Sequence, residues 1–348
     1  MLLVLALVAV IWGIGHLMGA PKAMRWMLTI LLWAAVVLLN LTLPAGHGLR
    51  VATGGSAALW VLVAGAMALI AAYRLGLSWL RARVRVEPEE EAKPKPTFSE
   101  TELNRYARHI VMREVGGTGQ KRLKNAKVLV IGAGGIGSPA LMYLAAAGVG
   151  TIGVIDDDVV DNSNLQRQVI HRDADIGTPK VFSAERAMRA QNPFVAVRPY
   201  QRRLDADTAA DLIADYDIVL DGTDNFDTRY LANRICAAQG KPLVSGALSQ
   251  WEGQISVFHP KKGGPCYQCV FAEAPAADLA PSCAEAGVIS PLPGVIGAMM
   301  AVETMKLITG AGAVLRGEMM IYDALWGETR KIRLKQRDDC PVCGDSGA

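Results

Sequence analysis

The stretch Val128-Leu129-Val130-Ile131-Gly132-Ala133-Gly134-Gly135-Ile136-Gly137 decides the fold. Lys127 to Ile131 is a short β-branched run of the kind buried in a parallel sheet. Gly132 opens a tight turn, Gly134 and Gly135 let the backbone approach a phosphate, and Gly137 lets the next helix pack on the strand. That helix is expected from about Ser138 to Ala147, closed by Gly148. Thr151 to Ile155 reads as the second strand. Asp156 stands at its end, where a carboxylate typically binds ribose hydroxyls. Strand, glycine turn, helix, strand and acid in this order predict a Rossmann-like, doubly wound α/β sheet that binds a nucleotide. They do not separate NAD from ATP.

The residues downstream do. Asp156-Asp157-Asp158 is followed by Asn162-Ser163-Asn164-Leu165-Gln166-Arg167-Gln168, an amide-rich turn that cannot pack into a core. It sets a fixed cation, Arg167, and amides where triphosphate oxygens could lie. Lys180 follows Pro179 at the start of another helix, where the amide dipole adds to its charge. A strand from Asp217 to Leu220 leads into Asp221-Gly222-Thr223-Asp224-Asn225. An acid at the carboxyl end of a parallel strand lies in the ligand crevice, and Asp224 is suited to a magnesium ion that bridges phosphates. Asp224 is also placed to cap a helix starting at Phe226, and the two roles are compatible. Arginine, lysine and a magnesium-holding aspartate stabilise charge during transfer at a phosphate. A dehydrogenase needs none of them.

The 348 residues divide by composition. Three apolar segments, Met1 to Met18, Met27 to Leu43 and Ser56 to Leu80, are each about the length of a membrane-crossing helix. A signal peptide is the competing reading of the first, but no basic residue precedes its apolar core and two further apolar segments follow. Lys22 and Arg25 after the first segment, and Arg81, Arg83 and Arg85 after the third, predict three crossings with the N-terminus outside. The loop around His47 and Arg50 is then external. No ionisable residue lies mid-segment, which favours an anchor over a transport path. Residues 1–84 are thus expected to form a multi-pass anchor in the inner (plasma) membrane. A charged, proline-rich tether at 85–96 should lead to a cytoplasmic domain at 97–348.

Ser99 with Glu102 is a capping-box signature for a helix from Glu100 to about Val115, ended by Gly116-Gly117. Arg105, Arg108 and Arg113 on it read most simply as a solvated face. A net charge of +3, without a basic stripe interleaved with aromatics, argues against nucleic-acid binding.

Four of the six cysteines form two Cys-x-x-Cys pairs, Cys266 with Cys269 and Cys340 with Cys343. Four thiolates from two such knuckles suit a closed, structural zinc site, with disulfides or free thiols as the alternative. Cys236 reads as a small buried hydrophobe in an apparent helix, Tyr230 to Gln239. Cys283 stands apart in a small-residue loop, where an exposed thiol could attack an activated acyl group. Val288 to Leu307 reads as a glycine- and methionine-rich helix of the core or of a dimer face.

From about Phe98 to Gly344 the chain resembles the bacterial MoeB/ThiF/HesA family, relatives of the ubiquitin-activating enzymes. The resemblance is carried by Arg105-Tyr106-Ala107-Arg108-His109-Ile110, the Gly132–Gly137 turn, Asn164-Leu165-Gln166-Arg167-Gln168, Gly177-Thr178-Pro179-Lys180, Asp221-Gly222-Thr223-Asp224-Asn225 and both cysteine pairs. It implies a homodimer that adenylylates the terminal Gly-Gly carboxylate of a small ubiquitin-like sulfur carrier protein with ATP, releasing pyrophosphate. By position, Asp156 would hold the ribose, Asn164, Arg167 and Lys180 the phosphates, and Asp224 the Mg2+, with Ser163, Leu165, Gln166 and Asn225 also in the cofactor-binding set. Arg108 would reach the neighbouring subunit's site, and Cys283 matches a cysteine that links covalently to the carrier in some members. Zn2+ would sit on the four paired cysteines. The family does not predict the first 96 residues, and the sulfur is expected from another protein. The molybdopterin cofactor branch fits better than the thiazole (thiamine) branch. A tRNA-modifying ATP-dependent enzyme and a non-catalytic membrane scaffold are the other readings.

Overall fold

The computed structural model describes residues 2–83, 97–275 and 286–344, without the side chains of 81–83. The chain falls into two compact units, Met1–Lys95 and Pro96–Ala348. Residues 85–96 of the tether and Cys283 lie outside the described residues.

The first unit contains helices α1 (Leu2–Leu17), α2 (Lys22–Thr42), α3 (Gly48–Ala52) and α4 (Ala57–Arg83). Its outer surface is apolar and exposed, the pattern of a helix that meets lipid. Polar groups turn inward instead. Asn40 is buried, and its Nδ2 donates to the Val36 carbonyl and to Thr53 Oγ1, both at 2.9 Å. The Trp33 and Trp60 indoles donate to the carbonyls of Trp60 and Thr53. Among the described residues, three stretches are long and apolar enough to cross a membrane: Lys22–Thr42, Gly48–Leu80 and Pro291–Thr309. The last belongs to the second unit, where it packs on the sheet. Leu2–Leu17 has 16 residues, about 24 Å of helix at 1.5 Å per residue.

The second unit is built on an eight-stranded sheet of order β3-β2-β1-β4-β5-β6-β7-β8. Strands β1 (Lys127–Ile131), β2 (Thr151–Ile155), β3 (Ala196–Tyr200), β4 (Ile218–Asp221) and β5 (Leu243–Leu248) are mutually parallel. β6 (Glu252–Phe258), β7 (Glu318–Asp323) and β8 (Glu328–Arg333) extend the sheet antiparallel. β1, β2 and β4 are almost wholly buried because both faces are covered. α8 (Gly137–Ala147), α9 (Lys180–Gln191) and α13 (Pro291–Thr309) cover one face, with Leu141, Leu144, Met188, Ile296 and Met300 in the core. α10 (Ala209–Ala214) and α11 (Phe226–Gln239) cover the other, with Leu212, Ile213, Leu231 and Cys236. Burial raises the Cys236 thiol well above its ordinary pKa, in keeping with a small apolar role.

The expected helix from Glu100 to Val115 is broken. It forms as α5 (Glu100–Arg105) and α6 (Ala107–Ile110), because Tyr106 leaves the helical region to bury its ring and accept a 2.8 Å hydrogen bond from Asn192 Nδ2. Gly116, expected to end that helix, instead opens α7 (Gly116–Asn125) with φ +59°. The capping box forms as read, with Ser99 Oγ accepting from the Glu102 N–H and the Glu102 carboxylate accepting from the Ser99 N–H. Gly132 has φ +92°, and a Cβ at Gly137 would lie 2.0 Å from the Gly132 carbonyl oxygen. Only glycine at both positions lets α8 start against the turn. A last short helix, α12 (Tyr267–Val270), is capped by Cys266 and carries Cys269 of the first cysteine pair.

Candidate functional site

A cavity of about 1210 Å3 opens beyond the carboxyl ends of β1 and β4, where the strand order reverses. The glycine turn forms one wall. Ala133 donates its N–H to Asp156 Oδ2 at 2.7 Å, and Asp158 donates its own to Asp156 Oδ1 at 2.9 Å. Asp156 therefore grips the turn as well as facing the cavity, and burial pushes its carboxyl above the usual carboxylate range. The Gly134 and Gly135 N–H groups line the same wall and meet no acceptor among the described residues. Two free amides in succession at a helix start make a ready anion seat.

The amide-rich run folds into a 3₁₀ turn, Asn162–Asn164, and forms a second wall with Ser163, Asn164, Gln166, Arg167 and Gln168. Arg167 is half-buried and donates to the Ser163 carbonyl at 3.2 Å. Gln168 is buried, gives its Nε2–H to Asn164 Oδ1 at 2.6 Å, and leaves Oε1 without a partner. Lys180 is buried at the first turn of α9, with Nζ 2.7 Å from Asp158 Oδ2. Leu165 and Gly137 do not line the cavity.

The loop after β4 completes the site. Asn225 caps α11, its side chain accepting from the Thr228 N–H at 3.1 Å. The cap considered for Asp224 thus falls to its neighbour, and the Asp224 carboxylate is left exposed on the cavity wall. Asp221 is fully buried. Its Oδ1 accepts from the Thr223 N–H at 3.1 Å and from Thr223 Oγ1 at 2.7 Å. Arg229, also buried, donates to Ser245 Oγ at 3.3 Å, to the Gly246 carbonyl at 2.9 Å and to the Thr223 carbonyl. Together these two residues clamp the loop that presents Asp224. Neither was singled out in the sequence. The available signal was helical spacing, since Arg229 shares a buried stripe of α11 with Asn233, Cys236 and Ala237.

One expected site residue lies elsewhere. Arg108 is exposed on α6, with no hydrogen bond or ion pair among the described residues. It borders a separate groove with Tyr143, Ala298, Val302 and Met305. Cys283 is outside the described residues.

The four paired cysteines converge. Cys266 and Cys340 Sγ are 3.6 Å apart, Cys269 and Cys343 Sγ 3.4 Å, and Cys266 and Cys269 Sγ 3.9 Å. These separations exclude disulfides. They match the roughly 3.8 Å expected between thiolates on a tetrahedral ion with 2.3 Å bonds to sulfur. Asn233 supports the cluster, donating to Cys266 Sγ at 3.6 Å and accepting from the Tyr267 N–H at 2.8 Å. Tyr267 lines the cavity, so the cluster braces its wall.

The chain matches the ThiF family over residues 106–342. It is 49% identical over 247 residues to the SAMP-activating enzyme E1 of Haloferax volcanii, covering 71% of this chain and 91% of that protein. It is 46% identical over 252 residues to the sulfur carrier protein adenylyltransferase of Thermus thermophilus, covering 71% and 93%. With the adenylyltransferase and sulfurtransferase MOCS3 of Sus scrofa it shares 45% over 262 residues, covering 75% of this chain and 57% of that protein. Among solved structures, E. coli MccB with ATP has a TM-score of 0.61 at 24% identity, covering 72% of this chain and 77% of that one. At that identity the likeness concerns the fold.

Proposed function

We propose, for a chain that belongs to the ThiF family, that it adenylylates a ubiquitin-like sulfur carrier protein with ATP. The observation that carries this is one cavity at the strand reversal, lined by the free Gly134 and Gly135 amides, Arg167, Lys180 and the uncapped Asp224. The orphaned Gln168 Oε1 on its wall is a further group in want of a ligand.

In this reading the carrier's terminal carboxylate oxygen attacks the α-phosphorus of ATP. The bond from that phosphorus to the bridging oxygen breaks, and pyrophosphate leaves. Asp156 receives the ribose hydroxyls. The glycine-turn amides, Ser163, Asn164, Gln166, Arg167 and Lys180 hold phosphate oxygens and offset charge that builds on the leaving group. A magnesium ion held by Asp224 beside Asn225 would neutralise the pyrophosphate. Asp158 now pairs with Lys180, and binding of a triphosphate would draw the ammonium to the ligand.

The protein works as a homodimer, and Arg108 completes the partner's site. Its exposure without an intrachain partner, beside the groove between α8 and α13, supports this. Zinc on the four cysteines is structural. The first unit anchors the enzyme in the plasma membrane with residues 97–348 in the cytoplasm, in keeping with the charge pattern and apolar surface of its helices. The product serves molybdopterin synthesis, and the Cys283 thiolate attacks the acyl carbon of the adenylate, forming a thioester with the carrier as AMP leaves.

Pyrophosphate–ATP exchange by the full chain, assayed with a panel of Gly-Gly-ending carriers, tests the reading. Exchange with one carrier identifies the substrate. Absence of exchange with every carrier, from protein that binds ATP and holds zinc, sinks it.

A further inference from the structure

Below the glycine turn lies a histidine that the proposed reaction does not use. His171 is buried, and its Nε2 lies 2.9 Å from the Ala133 carbonyl oxygen. A carbonyl only accepts, so Nε2 carries the proton. The other nitrogen, Nδ1, is 2.8 Å from Ser183 Oγ on α9, and Ser183 Oγ is 2.7 Å from Asp175 Oδ2. Arg186 holds the second oxygen of Asp175 at 2.5 Å. The ring is thus fixed in tautomer and orientation by a chain of side chains from α9 and the loop before it. Burial favours its neutral form, and the single Ser183 hydroxyl hydrogen serves either Nδ1 or Asp175 Oδ2 at a time.

Ala133 is held at both ends, its N–H by Asp156 and its carbonyl by His171 at 2.9 Å and, at the longer distance of 3.4 Å, by Ser138 Oγ. The second hold has a geometric result. In a trans peptide the C=O and the following N–H point in opposite directions, and all described peptides are trans. A carbonyl pulled down to His171 turns the Gly134 N–H the other way, to the side on which the cavity lies. That N–H is one of the two free donors on the wall. Without the imidazole, only the longer Ser138 hydrogen bond restrains the Ala133–Gly134 peptide from a second glycine-permitted orientation that does not offer the donor.

We propose that His171 is a positioning residue for the nucleotide: it fixes the Ala133–Gly134 peptide so that the Gly134 N–H is aimed at a phosphate oxygen. The proposal rests on the ATP-dependent reading above. It assigns His171 to nucleotide affinity, not to proton transfer, because no atom of the ring reaches the cavity wall.

The test uses the full chain in detergent, with three variants and MgATP as the probe. His171→Phe keeps the ring volume and removes the donor. His171→Gln offers an amide N–H that reaches the Nε2 position. Ser183→Ala leaves the ring in place without its support. Binding of MgATP is measured by calorimetry without carrier, and KM for ATP and kcat by pyrophosphate exchange. His171→Phe is expected to bind about ten-fold more weakly or worse, the worth of one hydrogen bond to a charged oxygen, with KM raised far more than kcat is lowered. His171→Gln should recover most of the affinity, and Ser183→Ala should show a smaller loss in the same direction. A purely structural histidine would lower the melting temperature and the active fraction of both His171 variants while leaving the KM of the active fraction unchanged, and that result overturns the proposal. So does a folded His171→Phe, or a folded Ser183→Ala if the former does not fold, with wild-type affinity. Wild-type protein that binds no ATP would refute the parent reading instead.

Discussion

The Arg229 guanidinium lies 3.6 Å from the Asp221 carboxylate, and both are buried where the strand order reverses. Arg229 is 5% exposed and Asp221 not at all, so each depends on the other and on the loop groups they hold. Removing one partner of a buried pair leaves an uncompensated charge and costs about 3–5 kcal/mol. Arg229→Met should destabilise the folded protein by that amount in urea unfolding. Adding Asp221→Leu should return much of the loss, because an apolar pair needs no desolvated partner. A near-neutral single variant would show that the pair is not coupled.

Asp224 sits differently. Its carboxylate is exposed and does not cap α11. Asp224→Asn should leave the melting temperature unchanged and reduce pyrophosphate–ATP exchange by roughly a hundred-fold or more, the usual effect of losing one group that stabilises developing charge. A normal rate in this variant would remove Asp224 from the reaction.

Arg108 lines the groove between α8 and α13 rather than the cavity of its own chain. Arg108→Ala and Asp224→Ala should each be inactive. Co-refolding or co-expression of the two in equal amounts should restore about a quarter of wild-type activity, because half the dimers are mixed and each mixed dimer has one intact site. An arginine that served its own chain would give no recovery.

The thiol cluster predicts one zinc per chain by elemental analysis. Cys340→Ser, or prolonged chelation, should release the metal and lower the melting temperature, since binding to a closed four-thiolate site contributes directly to folding. ATP affinity should fall with it, because Tyr267 beside Cys266 lines the cavity. Retained affinity in metal-free protein would uncouple the two.

Glu102 supplies a pH signature. Burial raises its pKa, but hydrogen bonds from Lys124 and from both Ser99 groups outweigh that and hold it below the ordinary glutamate value. A carboxyl whose folded value is depressed adds stability above its unfolded pKa and loses it as pH falls through the folded value. Glu102→Gln keeps the capping box but drops the ion pair with Lys124. Its melting temperature should lie below wild type at pH 7, and the gap should narrow below about pH 4.3 and close as pH falls through the depressed folded value. A gap independent of pH would rule out this charge as the cause.

The sheet's first half was readable because its signals are local. β1, the turn, α8 and β2 occupy 29 consecutive residues, Lys127–Ile155, and glycine geometry ties them together. The antiparallel extension β6–β8 was not readable, since its pairing joins Glu252–Phe258 to Glu318–Asp323 across a long insertion. Arg229 and His171 were missed for a related reason. Each looks like an ordinary polar residue until the fold brings a distant carbonyl or carboxylate to it. The break at Tyr106 was hidden too, because it depends on Asn192.

The two outermost strands carry a further consequence. β3 contains Pro199, which has no N–H to offer a neighbour, and β8 is exposed throughout and carries Arg330, Lys331 and Arg333. Open sheet edges invite pairing between copies, and proline and positive charge discourage it. The proposed membrane anchor would bring copies of the chain together in two dimensions, at a crowding far above that of free diffusion. Both edges are blunted where a stray strand would otherwise seed aggregation.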